Sequence, residues 1–162
     1  MSPVRLLFVC LGNICRSPTA EGVMRHRLEA EGLVDRVELD SAGTGAWHIG
    51  EPPDPRATAA ARDRGVALTG SGRQVAPEDF DRFDLLLAMD EANARALRAA
   101  APDAVAREKV RLLREFDPES VARGDLSVPD PYLGEDGFTN VFALVDASCH
   151  GLLAELRASG RL

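Results

Sequence analysis

A chain of 162 residues, 45% hydrophobic and 28% charged, has the size and balance of one globular domain rather than a disordered segment or two full domains. Its net charge of −7 argues against general nucleic-acid binding, which depends on a basic surface neutralising phosphates, yet one local site can still hold a small anion. The longest apolar runs are too short for a membrane span, and Gly12, Asn13 and Arg16 interrupt the first one too soon for a secretory leader, so a cytoplasmic protein is expected.

The elements then follow in order. Val4–Val9 is a compact apolar run that predicts a buried strand. Ser17-Pro18 supplies a cap and first turn for a helix over Pro18–Ala30. A second strand is predicted at Val37–Ala42, then a Gly/Pro-rich loop from Gly43 to Pro55 and an Ala-rich helix over Arg56–Arg64, ended by Gly65. Phe83–Met89 suits a third strand, and Asp90–Ala100 a helix opening on an acidic cap. Val110–Leu113 reads as a weaker fourth strand. Asp117–Gly137 reads as a long acidic loop with three prolines. The last helix runs from Phe138 to about Ala158, with an apolar stripe through Val141, Phe142, Val145, Cys149, Leu152, Leu153 and Leu156. Alternating strands and helices predict a single-domain α/β fold over residues 1–162, a parallel sheet of about four strands with helices on both faces.

The three cysteines, Cys10, Cys15 and Cys149, are too few and too odd in number for a disulfide scaffold. Cys10 and Cys15 lack the pair spacing of a zinc site and His26, His48 and His150 are scattered, so no metal is expected. Lys109 is the only lysine, and no Gly-Lys-Ser/Thr occurs, which removes a nucleotide-binding Walker loop. Cys149 lies in an apolar stripe and is expected as core.

The chemistry concentrates in Cys10-Leu-Gly-Asn-Ile-Cys-Arg-Ser-Pro18, between the first strand and the first helix. The carboxyl end of a strand in an open parallel sheet is where ligands bind. A tight loop there turns backbone N–H groups inward, and the helix adds the positive end of its dipole. Gly12 and Asn13 tolerate the left-handed backbone such a turn needs. Cys10 opens the cradle, among donors that favour a thiolate. Arg16 closes it with a fork that fits two phosphate oxygens. A lone cysteine and arginine would ordinarily be core and surface. The strand before them, the small residues between and the Ser-Pro helix start after them favour attack of sulfur on phosphorus.

This segment resembles the signature loop of the low-molecular-weight protein tyrosine phosphatases. The similarity extends through Ser41-Ala-Gly-Thr44, Trp47, Gly50-Glu-Pro-Pro-Asp-Pro-Arg-Ala57, Arg73-Gln74, Phe83-Asp84, Met89-Asp90 and Asp130-Pro131-Tyr132. The resemblance implies that Cys10 forms a phosphocysteine and that Arg16 binds phosphoryl oxygens together with loop residues Leu11, Gly12, Asn13, Ile14 and Cys15. It implies that Asp130 acts as general acid and then base, that Trp47 and Tyr132 wall an aromatic slot, and that Ser17 and Ser41 support the thiolate and Asn13. It further implies that Cys15 guards Cys10 through a disulfide on oxidation. Expected ligands are phosphotyrosine proteins and inorganic phosphate or sulfate in the loop, with no cofactor, nucleic acid or membrane. Pro129 and Pro131 stiffen the backbone around Asp130. His26 and His48 have no assignable partner.

Two departures stand out. Leu133 replaces a second tyrosine that the family often carries, and Thr69-Gly-Ser-Gly-Arg73 lacks the histidine that supports the cradle asparagine in several members. Three other readings compete with this one. An arsenate reductase needs a mid-chain cysteine pair for its relay, which this sequence lacks. A phosphoarginine phosphatase of the same fold carries Thr where Ile14 stands. A non-catalytic phosphotyrosine-binding module would retain the cradle and lose Cys10 or Asp130.

Overall fold

The computed structural model describes residues 2–131 and 137–162. Strand β1, Val4–Cys10, is the centre of the molecule because from Leu6 onward its side chains are apolar on both faces. Leu6, Phe8 and Cys10 join one buried cluster, while Leu7 and Val9 join another on the opposite side, as the two-residue period of a strand requires. Burying a side chain of this size contributes about 1.5–3 kcal/mol, so this strand alone anchors both layers.

Helix α1, Arg16–Ala30, leads to β2, Val37–Gly43, which pairs in parallel with β1 from Val4↔Val37 to Cys10↔Gly43. Then come α2, Pro55–Arg62, α3, Asp79–Arg82, and β3, Leu85–Ala88, which pairs in parallel with the other edge of β1. Helices α4, Glu91–Ala100, and α5, Ala104–Glu108, precede β4, Val110–Leu112. After them lie α6, Pro118–Arg123, and α7, Gly137–Ala158. The sheet order is β2-β1-β3-β4 with all pairings parallel. The α/β fold with four parallel strands and helices on both faces is the one expected.

Helices α1 and α7 pack on the Leu6/Phe8 face through Ala20, Val23, Met24, Leu28, Val145 and Leu152. Phe80, Ala94, Leu97 and Ala106 cover the Leu7/Val9 face. The chain leaves β1 for β2 on one side and returns to β3 on the other, so the winding reverses beside β1 and opens a crevice at the carboxyl ends of β1 and β3.

Several boundaries differ from expectation. Helix α1 starts at Arg16 rather than Pro18, because Pro18 occupies the first turn, where a missing N–H costs no intrahelical bond. The third strand is shorter than Phe83–Met89, since Phe83 instead ends α3. The expected loop over Asp117–Gly137 contains α6. Asp117 caps it by accepting from Glu119 N at 3.3 Å, Pro118 is its first residue, and Gly124 ends it in the left-handed conformation. Those signals were present in the sequence, and the density of prolines obscured them.

Candidate active site

The loop after β1 is shaped by bonds to its carbonyls. Thr44 N–H donates to Cys10 O, Gly45 N–H to Leu11 O, Asp54 N–H to Ile14 O and Thr19 N–H to Cys15 O, at 2.8–3.2 Å. Peptide carbonyl and N–H point in opposite directions, so carbonyls drawn outward aim the amides inward. The segment from Cys10 to Arg16 lines a cavity of about 120 Å³, together with Trp47, His48, Asp130 and Pro131. The positive end of the α1 dipole faces the same space.

Cys10 Sγ lies 3.0 Å from Ser17 Oγ and accepts from Asn13 N–H at 3.2 Å. Asn13 is the single described non-glycine residue with positive φ, at 58°. Its Nδ2 donates to Ser17 Oγ at 2.9 Å and to Ser41 Oγ at 3.0 Å, and its Oδ1 accepts from Arg73 N–H at 2.9 Å. The backbone of Arg73, with Ser17 and Ser41, thus supports Asn13 where the sequence lacks the histidine.

Arg16 is buried, and its Nη1 donates to Asp90 Oδ2 at 2.7 Å and to Val128 O at 2.9 Å. Asp90 divides its two oxygens: Oδ2 takes Arg16, while Oδ1 accepts from Asn93 N–H at 2.7 Å and caps α4. Fixing one edge of the guanidinium orients the group within the loop. Asp90 was legible as a helix cap, but its second bond was not, because it crosses from one strand end to another.

Trp47 is 72% exposed, and its ring folds back against Gly45, where a Cβ would collide at 1.9 Å. His48, which sequence reasoning left without a partner, lines the cavity and is paired through Nδ1 with Glu51. Asp54 sits behind Ile14 and caps α2 by accepting from Arg56 N–H at 2.7 Å. Burial raises its pKa, but the side-chain, backbone and charge interactions with Arg56 outweigh it and hold the carboxyl below its ordinary value. Among the expected site residues, Cys10 to Ser17, Ser41, Trp47 and Asp130 converge here. Tyr132 and Leu133 lie outside the described residues.

Cys149 lies elsewhere, fully buried on the inner face of α7, with Sγ 3.8 Å from Ala20 O. Burial pushes its thiol well above the ordinary range. It is the core residue expected.

A loop at the switch point of a parallel sheet, bearing cysteine and arginine together, is the arrangement that suits an α/β enzyme acting on phosphate esters. The model of the family described as low molecular weight phosphotyrosine protein phosphatase matches residues 5–162. A low molecular weight protein-tyrosine-phosphatase of Streptomyces coelicolor is 53% identical over 94% of this chain and 93% of that protein. The crystal structure of a protein tyrosine phosphatase from Entamoeba histolytica, with Hepes in its active site, has a TM-score of 0.90 at 35% identity, covering 97% of this chain and 99% of that one. A Drosophila arginine phosphatase is also similar, with a TM-score of 0.84 at 31% identity over 94% and 97% of the two chains. The chain belongs to the low molecular weight phosphotyrosine protein phosphatase family and is a hydrolase.

Proposed function

We propose that this protein hydrolyses protein phosphotyrosine and small aryl phosphates through a phosphocysteine. The observation that carries the reading is Cys10 Sγ, 3.0 Å from Ser17 Oγ and 3.2 Å from Asn13 N, in the same cavity as Arg16 and Asp130. In the first step the Cys10 thiolate forms an S–P bond as the P–O bond to the aryl group breaks. Asp130 gives its proton to the departing phenolate. Arg16 and the loop amides hold the equatorial oxygens, where charge develops. In the second step Asp130 takes a proton from water as the water oxygen attacks phosphorus. The S–P bond breaks, releasing inorganic phosphate and restoring the thiolate.

Trp47 is the proposed wall for the substrate ring. A flat aromatic wall suits tyrosine, whose ring carries phosphorus far enough from the peptide to reach the loop. Ile14, on the cavity lining, offers an apolar surface rather than a hydroxyl and favours an aryl group over a guanidine. A reducing cytoplasm is the compartment that fits a catalytic thiol.

The test is phosphate release from a phosphotyrosine peptide in EDTA, comparing wild type with Cys10→Ser. Turnover that resists EDTA and disappears in the variant is expected. Release from phosphoarginine alone would shift the assignment to arginine phosphatase. Binding of the phosphopeptide without turnover would make the protein a recognition module.

A further inference from the structure

The chain from Gly72 to Val75 belongs to no helix or extended strand, yet it touches both halves of the site. Gly72 N–H donates to Glu51 O and Gly50 N–H to Gly72 O, both at 2.8 Å, tying it to the Trp47 loop. Gly72 packs so closely under His48 that a Cβ would lie 2.2 Å from the His48 carbonyl oxygen. One residue further on, Arg73 N–H holds Asn13 Oδ1 at 2.9 Å. A single bridge to Gly43 at the end of β2 adds two more backbone bonds, Gly43 N–H to Arg73 O and Val75 N–H to Gly43 O, both 2.8 Å.

Gln74 Nε2 donates to Thr44 O at 3.2 Å, and the side chain of Arg73 adds three charged bonds. Its Nη1 and Nη2 donate to the two oxygens of Asp79, both at 3.0 Å, and its Nε donates to Asp40 Oδ2 at 3.1 Å. Asp79 is 4% exposed and also accepts from Ala76 N–H at 2.7 Å, so its position is fixed by several donors. Asp40 Oδ1 accepts from Ser41 N–H at 2.8 Å, and Ser41 is another partner of Asn13. Both outside supports of Asn13 therefore converge on one guanidinium.

We propose that the Asp40–Arg73–Asp79 triad is the positioning device of the nucleophile loop, acting on Cys10 through Asn13, a role that rests on the reading of that loop as the phosphate cradle. Asn13 needs it because its positive φ is a sparsely populated conformation that persists only when its surroundings enforce it. A twisted Asn13 would withdraw its N–H from Cys10 Sγ. Burial opposes the charge on Arg73, but Asp79 and Asp40 outweigh it and keep the guanidinium firmly charged. Lysine keeps the charge and loses the fork.

The test measures alkylation of Cys10 by iodoacetamide at pH 7 in the full chain, read by fragment mass, alongside kcat for p-nitrophenyl phosphate. Arg73→Lys is expected to slow alkylation and lower kcat by roughly tenfold each, the size of one lost charge-assisted hydrogen bond. Arg123→Lys, at a distant surface pair, is expected to change neither. In an Asn13→Ala background, Arg73→Lys is expected to have no further effect, since the path runs through Asn13. Wild-type alkylation in Arg73→Lys, or independent effects in the double variant, would overturn the proposal. If Arg73→Lys does not fold, Asp40→Asn leaves the Asp79 fork intact and is read the same way: slower alkylation supports the proposal and an unchanged rate sinks it. A wild type without phosphatase turnover would refute the proposed function, while the alkylation arm would still report on the triad.

Discussion

Cys10, in the loop between β1 and α1, and Cys149, on the inner face of α7, are both shielded from solvent, at 3% and 0% exposure. Around Cys10 lie a backbone N–H, a serine hydroxyl and, across the loop, an arginine. Cys149 has apolar neighbours and one distant carbonyl. Burial without donors destabilises the thiolate, whereas burial among donors replaces the water that would otherwise solvate it. Burial alone therefore does not distinguish the core cysteine from the one proposed as nucleophile. The polar groups aimed at sulfur do.

The largest test of this contrast is substitution at each cysteine. Cys10→Ser is expected to lower turnover at least about a thousandfold, as removal of a nucleophile does, while Cys149→Val leaves turnover of a phosphotyrosine peptide near wild type. A comparable loss in both would break the contrast. Asp130→Asn comes next, with kcat for phenyl phosphate expected to fall about 10²–10⁴-fold, the usual contribution of general acid–base catalysis. The loss is expected to shrink for p-nitrophenyl phosphate, whose leaving group needs less protonation. Trp47→Ala is expected to raise KM for aryl phosphates several-fold, roughly the scale of one aromatic contact, with kcat less affected.

The smallest effect lies at Cys149 and appears in stability. The unfolded thiol ionises near its ordinary value of 9.0, and the folded one resists ionisation. Its contribution is thus complete below pH 9 and is lost as pH rises further, at about 1.4 kcal/mol per unit for a single group. Denaturant titrations of wild type against Cys149→Val above pH 9 check this: the wild type should lose more stability with rising pH. Parallel curves would show that Cys149 ionises as easily folded as unfolded.

The two cysteines also show what was legible in advance. Cys149 fell in a helical stripe, and the apolar spacing of α7 marked it as core. Cys10, Gly12, Asn13, Arg16 and Ser17 stood together in one short segment, so the loop they form was visible from local order. Asp90, His48 and Arg73 were not assigned roles, although Asp90 and Arg73 lay within recognisable motifs. Asp90 already had a complete explanation as a helix cap, and nothing local announced its bond to Arg16. Arg73 acts on Asn13 through its backbone N–H, and a main-chain donor carries no residue-type signature. Helix α6 was missed although Asp117, Pro118 and Gly124 spelled its start and stop, because short helices leave little periodicity.

By itself the sequence determined the layer arrangement and the family, and it pointed to the loop that is proposed here to bind phosphate. Those depend on residue spacing, which the period of a strand or helix converts directly into a face or a turn. The tertiary structure decided which groups hold that loop in shape. Arg16 meets Asp90 74 positions away and Val128 112 positions away, and Asn13 meets Arg73 60 positions away. Contacts between segments so far apart arise only when the parallel sheet brings the ends of β1, β2 and β3 side by side.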